Sequence, residues 1–284
     1  MMCAWESFLG LLPAWMRREV DARGRSRLQE LRLRVGKPPE LILGESSQFL
    51  SRNASTEDLS FVVNAGSRYS PWTAATAAQG YLTAQGGHRI GLCGDAVVSG
   101  GQITGLRGCH SLCLRVARDF PGIAGQAGRE RGSILILGSP GSGKTTLLRD
   151  LIRQRSGSLP GSIAVVDERG ELFPKIAGTS CFPEGSRTDI LTGCPKSQGI
   201  EMVLRTMGPS CIAVDEITAQ ADCDALIRAG WCGVKLLATA HAGSKQDFYS
   251  RPVYRPLAES KLFESLLIMS PDKSWRLERM DAWN

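Results

Sequence analysis

The chain is 284 residues long, which allows two compact domains of ordinary size, each burying its own core. Its hydrophobic fraction of 42% and charged fraction of 22% are those of a soluble globular protein, and the longest mid-chain apolar run, "SILILG", falls far short of the roughly 20 residues of a membrane-spanning helix. The net charge of +6 is uneven, with 14 Lys and Arg against 9 Asp and Glu in residues 1–118 but 20 against 19 in residues 119–284. Such a basic N-terminal part serves nucleic acid, the phosphates of a nucleotide held by a neighbouring subunit, or nothing beyond a solvated face; charge alone does not separate the three.

At the N-terminus, "MMCAWESFLGLLPAWMRREV" places Glu6 early and its basic residues after the apolar part, the reverse of a secretory signal, so the expectation is a cytoplasmic protein with no anchor of its own. "SRLQELRLRV" passes from helix to strand, and "GHRIGLCGDAVVSGGQITGL" reads as hairpins, with short runs split at Gly-Asp and Gly-Gly. Residues 1–118 are therefore expected to form an α+β domain. "DFPGIAGQAGRERGS", residues 119–133, is the expected linker, because Pro and clustered Gly stop both helix and strand. Nine cysteines are scattered and never spaced Cys-x-x-Cys, which predicts reduced thiols rather than a zinc site.

Beyond residue 133 strand and helix alternate: "SILILG", "SIAVVDE", "CIAVDE" and "VKLLATAH" are strands, and "KTTLLRDLIRQR", "GIEMVLRTMG" and "CDALIRAGWCG" are the helices between them. Short, almost wholly apolar strands joined by helices predict a buried parallel sheet covered on both faces, with active groups at the carboxyl ends of its strands.

The first such end is "GSPGSGKTT", a full match to G-x-x-x-x-G-K-[ST] between a strand and a helix. Gly138, Ser139, Pro140, Gly141, Ser142 and Gly143 form a loop whose N–H groups can face a triphosphate. Lys144 is expected at the β- and γ-phosphates, Thr145 at Mg²⁺, and Thr146 at a further phosphate. A carboxylate beside Thr145 and a group to orient the attacking water are also required. "CIAVDEI" offers both, Asp215 for the metal and Glu216 for the water. "IAVVDERGEL" ends its strand in the same way, so Asp167, Glu168 and Glu171 are a second acidic group expected near the same nucleotide. His241 closes "LLATAH" at the next strand end and is read as a γ-phosphate sensor; an ordinary hydrogen-bonded histidine is the alternative.

In this order the phosphate loop, early acidic strand, second acidic strand and Thr-x-His resemble the Walker A, Asp box, Walker B and His box of the type II and type IV secretion and pilus ATPases. Over nearly the whole chain, "LQELRLRVGKPPEL", "GLRGCHSLCLRVAR", "VVDERGEL" and above all "TDILTGCPKSQG" resemble the stage III sporulation protein AA family. That resemblance implies a RecA-like P-loop NTPase domain (α/β, mostly parallel sheet) over residues 119–284, preceded by the smaller α+β domain. It implies ATP and Mg²⁺ as ligands and an oligomer, taken as a hexamer, at the base of a channel complex between mother cell and forespore. Its partners are then membrane proteins of that complex, with no stable nucleic acid. It further makes Glu168 an acid near the metal or the water, and Arg115 the best-matched arginine to reach a neighbour's nucleotide, with Arg89, Arg107 and Arg118 behind it. Arg187 and Arg205 are candidates within the ATPase domain, and each of these arginines is equally readable as an ordinary surface residue.

One departure concerns coupling. Secretion ATPases follow the metal-binding acid with Glu-Ile-Arg-Asp, whereas "DEITAQADCD" places Thr218 and Ala219 there. Two other functions stay open at this point: an ATP-dependent binder of single-stranded nucleic acid, and a nucleotide-gated scaffold with little hydrolysis. The first lacks an aromatic platform among its basic residues, and the second has no need of Glu216.

Overall fold

The computed structural model describes residues 4–67, 80–158, 160–176 and 179–280, and divides the chain into two compact units. Residues 1–119 with 174–181 form the first, and residues 120–173 with 182–284 the second.

In the first unit, helices α1 (Trp5–Gly10) and α2 (Ala14–Gly24) precede strands β1 (Glu30–Arg34), β2 (Glu40–Leu43) and β3 (Ser46–Phe49). Helix α3 (Thr56–Ser67) then leads towards β4 (Tyr81–Ala84), β5 (His88–Ser99) and β6 (Gln102–Arg115). The six strands form an antiparallel sheet in the order β3-β2-β1-β6-β5-β4. Period-2 alternation puts Leu31, Leu33, Leu112 and Leu114 on its buried face, where they join Phe8 and Val62 of the helices in one core.

Only one of the two expected hairpin splits is a turn. Gly100 and Gly101, both at positive φ, close the β5–β6 hairpin, as a two-residue turn with right-handed strand twist requires. Gly94-Asp95 instead lies within β5 at a register shift, where a Cβ on Gly94 would stand 2.0 Å from the Gly108 carbonyl oxygen. Here glycine permits a bulge and close backbone approach rather than a chain reversal.

The second unit begins with residues 120–133, a largely exposed segment anchored at a few points. Gly122 and Ala124 donate their N–H groups to the buried Asp150 carboxylate (3.0 and 2.8 Å), and Ala124 and Ala127 are fully buried. There follow β7 (Ile134–Leu137), α4 (Lys144–Ser158) and β8 (Ile163–Asp167). The small hairpin β9 (Lys175–Ile176) and β10 (Thr179–Ser180) belongs to the first unit. The chain continues through β11 (Thr188–Thr192), α5 (Lys196–Thr206), β12 (Cys211–Ile217), α6 (Gln220–Trp231), β13 (Lys235–Ala240), α7 (Lys245–Ser250), α8 (Arg255–Glu259), β14 (Ser265–Met269) and β15 (Trp275–Arg279).

The second sheet runs β11-β8-β12-β13-β7-β14-β15 and is parallel except at β15. Every residue of β7, β8 and β14 is buried, as expected for inner parallel strands that are almost wholly apolar. The parallel strands β8, β12, β13 and β7 are neighbours in that order, so the loop after β7 and the acidic tips of β8 and β12 open on the same edge of the sheet. The eight described cysteines are all free thiols.

Candidate functional site

The segment Gly138–Lys144 turns from β7 into α4 through Gly141 (φ +75°) and Gly143 (φ +100°), a left-handed backbone that favours glycine. Gly138 is needed for space: a Cβ there would meet Ser142 Oγ at 2.5 Å and Met269 Cβ, at the end of β14, at 2.8 Å. Ser142 Oγ is buried with no hydrogen-bond partner among the described residues. Lys144 is only 6% exposed, and its ammonium donates to the carbonyls of Gly138 and Ser139 (both 2.9 Å) and to His241 Nδ1 (3.1 Å). Burial holds its pKa below the ordinary lysine value, against the charges of Asp215 and Glu216.

From Lys144 and Thr145 a chain of hydrogen bonds runs through the tips of β12 and β13 and returns. Thr145 Oγ1 donates to Asp215 Oδ2 (2.6 Å), and Thr239 Oγ1 donates to Asp215 Oδ1 (2.6 Å). Thr239 Oγ1 also accepts the Glu216 N–H (2.7 Å), and Glu216 Oε1 lies 2.9 Å from His241 Nε2, whose other nitrogen faces Lys144. An ammonium can only donate and a carboxylate only accept, so in this arrangement the ring accepts at Nδ1 and donates at Nε2. The His241 N–H donates to the Tyr254 hydroxyl (3.3 Å), which donates to the Ile217 carbonyl (3.1 Å).

Glu216 itself has φ +56°, at the point where the β12–β13 register is interrupted. A non-glycine residue in this region costs on the order of 1–3 kcal/mol, and such strain collects where a side chain must be aimed out of the strand repeat. The structure thus brings Lys144, Thr145, Asp215, Glu216 and His241 into one connected group. Thr239 and Tyr254 were not singled out from sequence; the "LLATAH" pattern, with Thr two residues before His, was the available signal for the former.

At the other acidic strand end, the three acids have separate tasks. Asp167 is 2% exposed, and its carboxylate accepts the N–H groups of Glu171 (2.9 Å), Leu172 (2.9 Å) and Phe173 (3.1 Å), so it closes the turn after β8. Its pKa is pushed up to about 6, first by burial and further by the neighbouring Asp215, while the Phe173 and Leu172 N–H groups pull it back. Glu168 is ion-paired with the buried Lys196 at the start of α5. Glu171 gives its backbone carbonyl to Arg149 (3.0 Å). Arg169, between them, reaches Glu216 Oε2 at 3.4 Å. Neither Lys196 nor Arg169 was identified from sequence; both stood inside the segments "TDILTGCPKSQG" and "VVDERGEL" that carried the family resemblance.

The candidate arginines each have local neighbours within their own unit. In the first unit Arg115 pairs with Glu30 (3.2 Å), Arg89 lies over the Tyr81 ring (4.2 Å), and Arg118 donates to the Leu28 and Arg25 carbonyls. Arg107 sits opposite Asp95 in the β5–β6 register. In the second unit, the Arg187 N–H donates to Ser156 Oγ (2.8 Å), and Arg205 is in the last turn of α5.

Known proteins share both the sequence and the architecture. The model of the family described as "Sporulation stage III, protein AA" matches residues 6–276. The stage III sporulation protein AA of Bacillus subtilis (strain 168) is 37% identical over 256 residues, covering 87% of this chain and 83% of that protein. An uncharacterised protein, ycf45, of Porphyra purpurea is 28% identical over 263 residues, which are 89% of this chain but 43% of the other. Among solved structures, the Legionella pneumophila ATPase DotB superposes with a TM-score of 0.56 at 15% identity, covering 94% of this chain and 80% of DotB. The pilus retraction motor PilT with bound ADP gives 0.59 at 14% identity, with 89% and 76% covered. Identities this low speak to fold, which is the α/β, RecA-like fold of the secretion ATPases with a smaller α+β unit before it; the family match extends over almost all of the sequence, and the chain belongs to the stage III sporulation protein AA family.

Proposed function

We propose that the chain is a Mg²⁺-dependent ATPase, working as an oligomeric secretion-type motor for the channel complex between mother cell and forespore. The observation that carries this reading is the connected group Lys144–His241–Glu216 and Thr145–Asp215–Thr239 around the Gly138–Thr146 loop. These residues fit a polyphosphate: the loop holds an orphaned Ser142 hydroxyl, glycines at positive φ and an ammonium resting on its own carbonyls. Lys144 would exchange those carbonyls for β- and γ-phosphate oxygens, while the loop N–H groups and Thr146 hold the remaining phosphates. Among the described residues no cluster of three His, Cys, Asp or Glu could hold a metal. Thr145 and Asp215 would therefore share Mg²⁺ with phosphate and water. When bound, that ion draws charge from the phosphates and so lowers the barrier to transfer.

Glu216 orients and deprotonates the attacking water, His241 reports the γ-phosphate from its place between Lys144 and Glu216, and Glu168 acts from the adjacent strand end through Lys196. Residues 119–284 are the ATPase module, and residues 1–118 the module that presents Arg115 to the nucleotide of the next copy in a hexamer. No helix of the described residues is long and apolar enough to cross a membrane, so membrane partners of the channel would recruit the motor to the mother-cell side.

Steady-state hydrolysis by the native chain, Lys144→Ala and Glu216→Gln tests the core of this. Turnover should fall at least about 100-fold in both variants, with ATP binding weakened in Lys144→Ala and retained in Glu216→Gln. Chelation of Mg²⁺ should abolish turnover in the native chain. Undiminished turnover in Glu216→Gln, or in chelator, would end the proposal.

A further inference from the structure

Arg169 has no part in the functional reading given above, yet the turn that carries it is firmly built. The Asp167 carboxylate takes three N–H groups from Glu171 to Phe173, the Gly170 N–H donates to the Asp167 carbonyl (3.1 Å), and Gly170 supplies a positive φ (+65°). Strands β8 and β12 pair in register up to Val166 and Val214, so the residues after them stand level at the sheet edge. From that fixed turn, Arg169 Nη1 reaches Glu216 Oε2 at 3.4 Å.

Glu216 needs such a contact. Its backbone has left strand geometry (φ +56°), so the sheet ladder does not aim its side chain. The terminal torsion of a glutamate is broad, and a carboxylate held at one oxygen can still turn about it. His241 lies 2.9 Å from Oε1 and Arg169 3.4 Å from Oε2, so each carboxylate oxygen has a partner on a different element.

We infer that Arg169 is a positioning residue that sets the orientation of Glu216 toward the attacking water. This rests on the proposed role of Glu216. The Arg169 side chain is 52% exposed and that of Glu216 33%, and an ion pair so open to solvent adds little to folding stability. Its contribution is therefore to geometry, and it is separable from the fold by experiment.

The full chain and the variants Arg169→Ala, Arg169→Lys, Glu216→Gln and Arg169→Ala/Glu216→Gln would be compared for ATP hydrolysis, binding of a fluorescent ATP analogue and thermal melting. Because misorientation of a reacting group costs one to two decades of rate, Arg169→Ala should lose about tenfold in kcat, with KM and analogue affinity within about twofold and melting unchanged. Arg169→Lys should recover part of the loss, since a lysine keeps the charge without the planar fork. In the Glu216→Gln background the Arg169 substitution should cost nothing more. An unchanged or raised kcat in Arg169→Ala, a loss confined to KM, or additive losses in the double variant overturns the assignment. Full activity in Glu216→Gln removes the functional reading and this assignment with it, whereas an inactive Glu216→Gln beside a fully active Arg169→Ala removes this assignment alone.

Discussion

His88 and His241 are each held at both ring nitrogens, and what faces those nitrogens decides what each can do. Around His241 stand an ammonium and a carboxylate, at the mouth of the phosphate loop. The two ring nitrogens of His88, fully buried in the first unit, meet backbone groups: Nε2 donates to the Ala4 carbonyl (3.0 Å), and Nδ1 accepts the Ala117 N–H (3.1 Å). Both sites are satisfied by the neutral ring, and burial, with the Arg118 charge adding to it, pushes the pKa down from 6.5 to about 4. The unfolded chain takes up this proton near 6.5 and the folded chain only near 4, so between those values the unfolded state binds more protons. Stability is then lost as the pH falls through that window, by on the order of 3 kcal/mol for the whole shift. Urea denaturation at pH 7 and pH 4.5 measures it: the difference between the two should shrink in His88→Gln. An equal difference in both chains would remove His88 as its source.

At the scale of elements, α5 matters because it begins with Lys196 and is pressed onto β8, the strand that carries the second acidic tip. The contact is made at Gly199, where a Cβ would stand 2.5 Å from Val166 Cγ1 and 2.9 Å from Cys194 Sγ. Alanine is the better helix former by about 1 kcal/mol, but overpacking costs about 1–3 kcal/mol, so Gly199→Ala should be net destabilising. Gly157, near the end of α4, has nothing among the described residues within 4 Å of its would-be Cβ, and there the same change should be neutral or stabilising by up to about 1 kcal/mol. Denaturation midpoints of the two variants separate packing from propensity; a shift of the same sign in both would contradict the argument. This contrast also marks what sequence could reveal. The strands "ILIL", "IAVVD" and "KLLATA", the phosphate loop and the Asp-Glu tip are legible because each is a local pattern of apolar residues, glycines or charge. That β14 lies beside β7, and brings Met269 against Gly138, depends on a pairing between residues more than 100 positions apart. The partners of Glu168 and Glu216 are hidden for the same reason. "DERG" announces charges, but only the level pairing of β8 with β12 and the placement of α5 decide that Arg169 meets Glu216 and Lys196 meets Glu168.

Over the whole of the first unit, several of the described basic residues already have acidic partners. In the first unit Arg23 pairs with Glu19, Arg25 with Asp21 and Glu6, Arg34 with Glu40, and both Arg32 and Arg115 with Glu30. Arg52 and Arg89 lie over the rings of Trp15 and Tyr81, so one face of each ring is occupied by a cation. A surface that tracks single-stranded nucleic acid needs cations spaced along a groove, together with open aromatic faces. Each phosphate neutralised on a single strand adds about −0.7 to the slope of log K against log salt, so the number of contacts can be read from a titration. With a fluorescent 20-mer, the chain with or without ATP should show no saturable binding up to about 100 μM at about 150 mM salt, and at low salt a slope no steeper than about −2, fewer than about three phosphates. Micromolar binding at the higher salt, with a slope steeper than about −3 and an increase on adding ATP, would instead favour an ATP-dependent nucleic-acid binder. The pairing of arginines within the first unit argues for the first outcome, because a phosphate would have to displace carboxylates already in place.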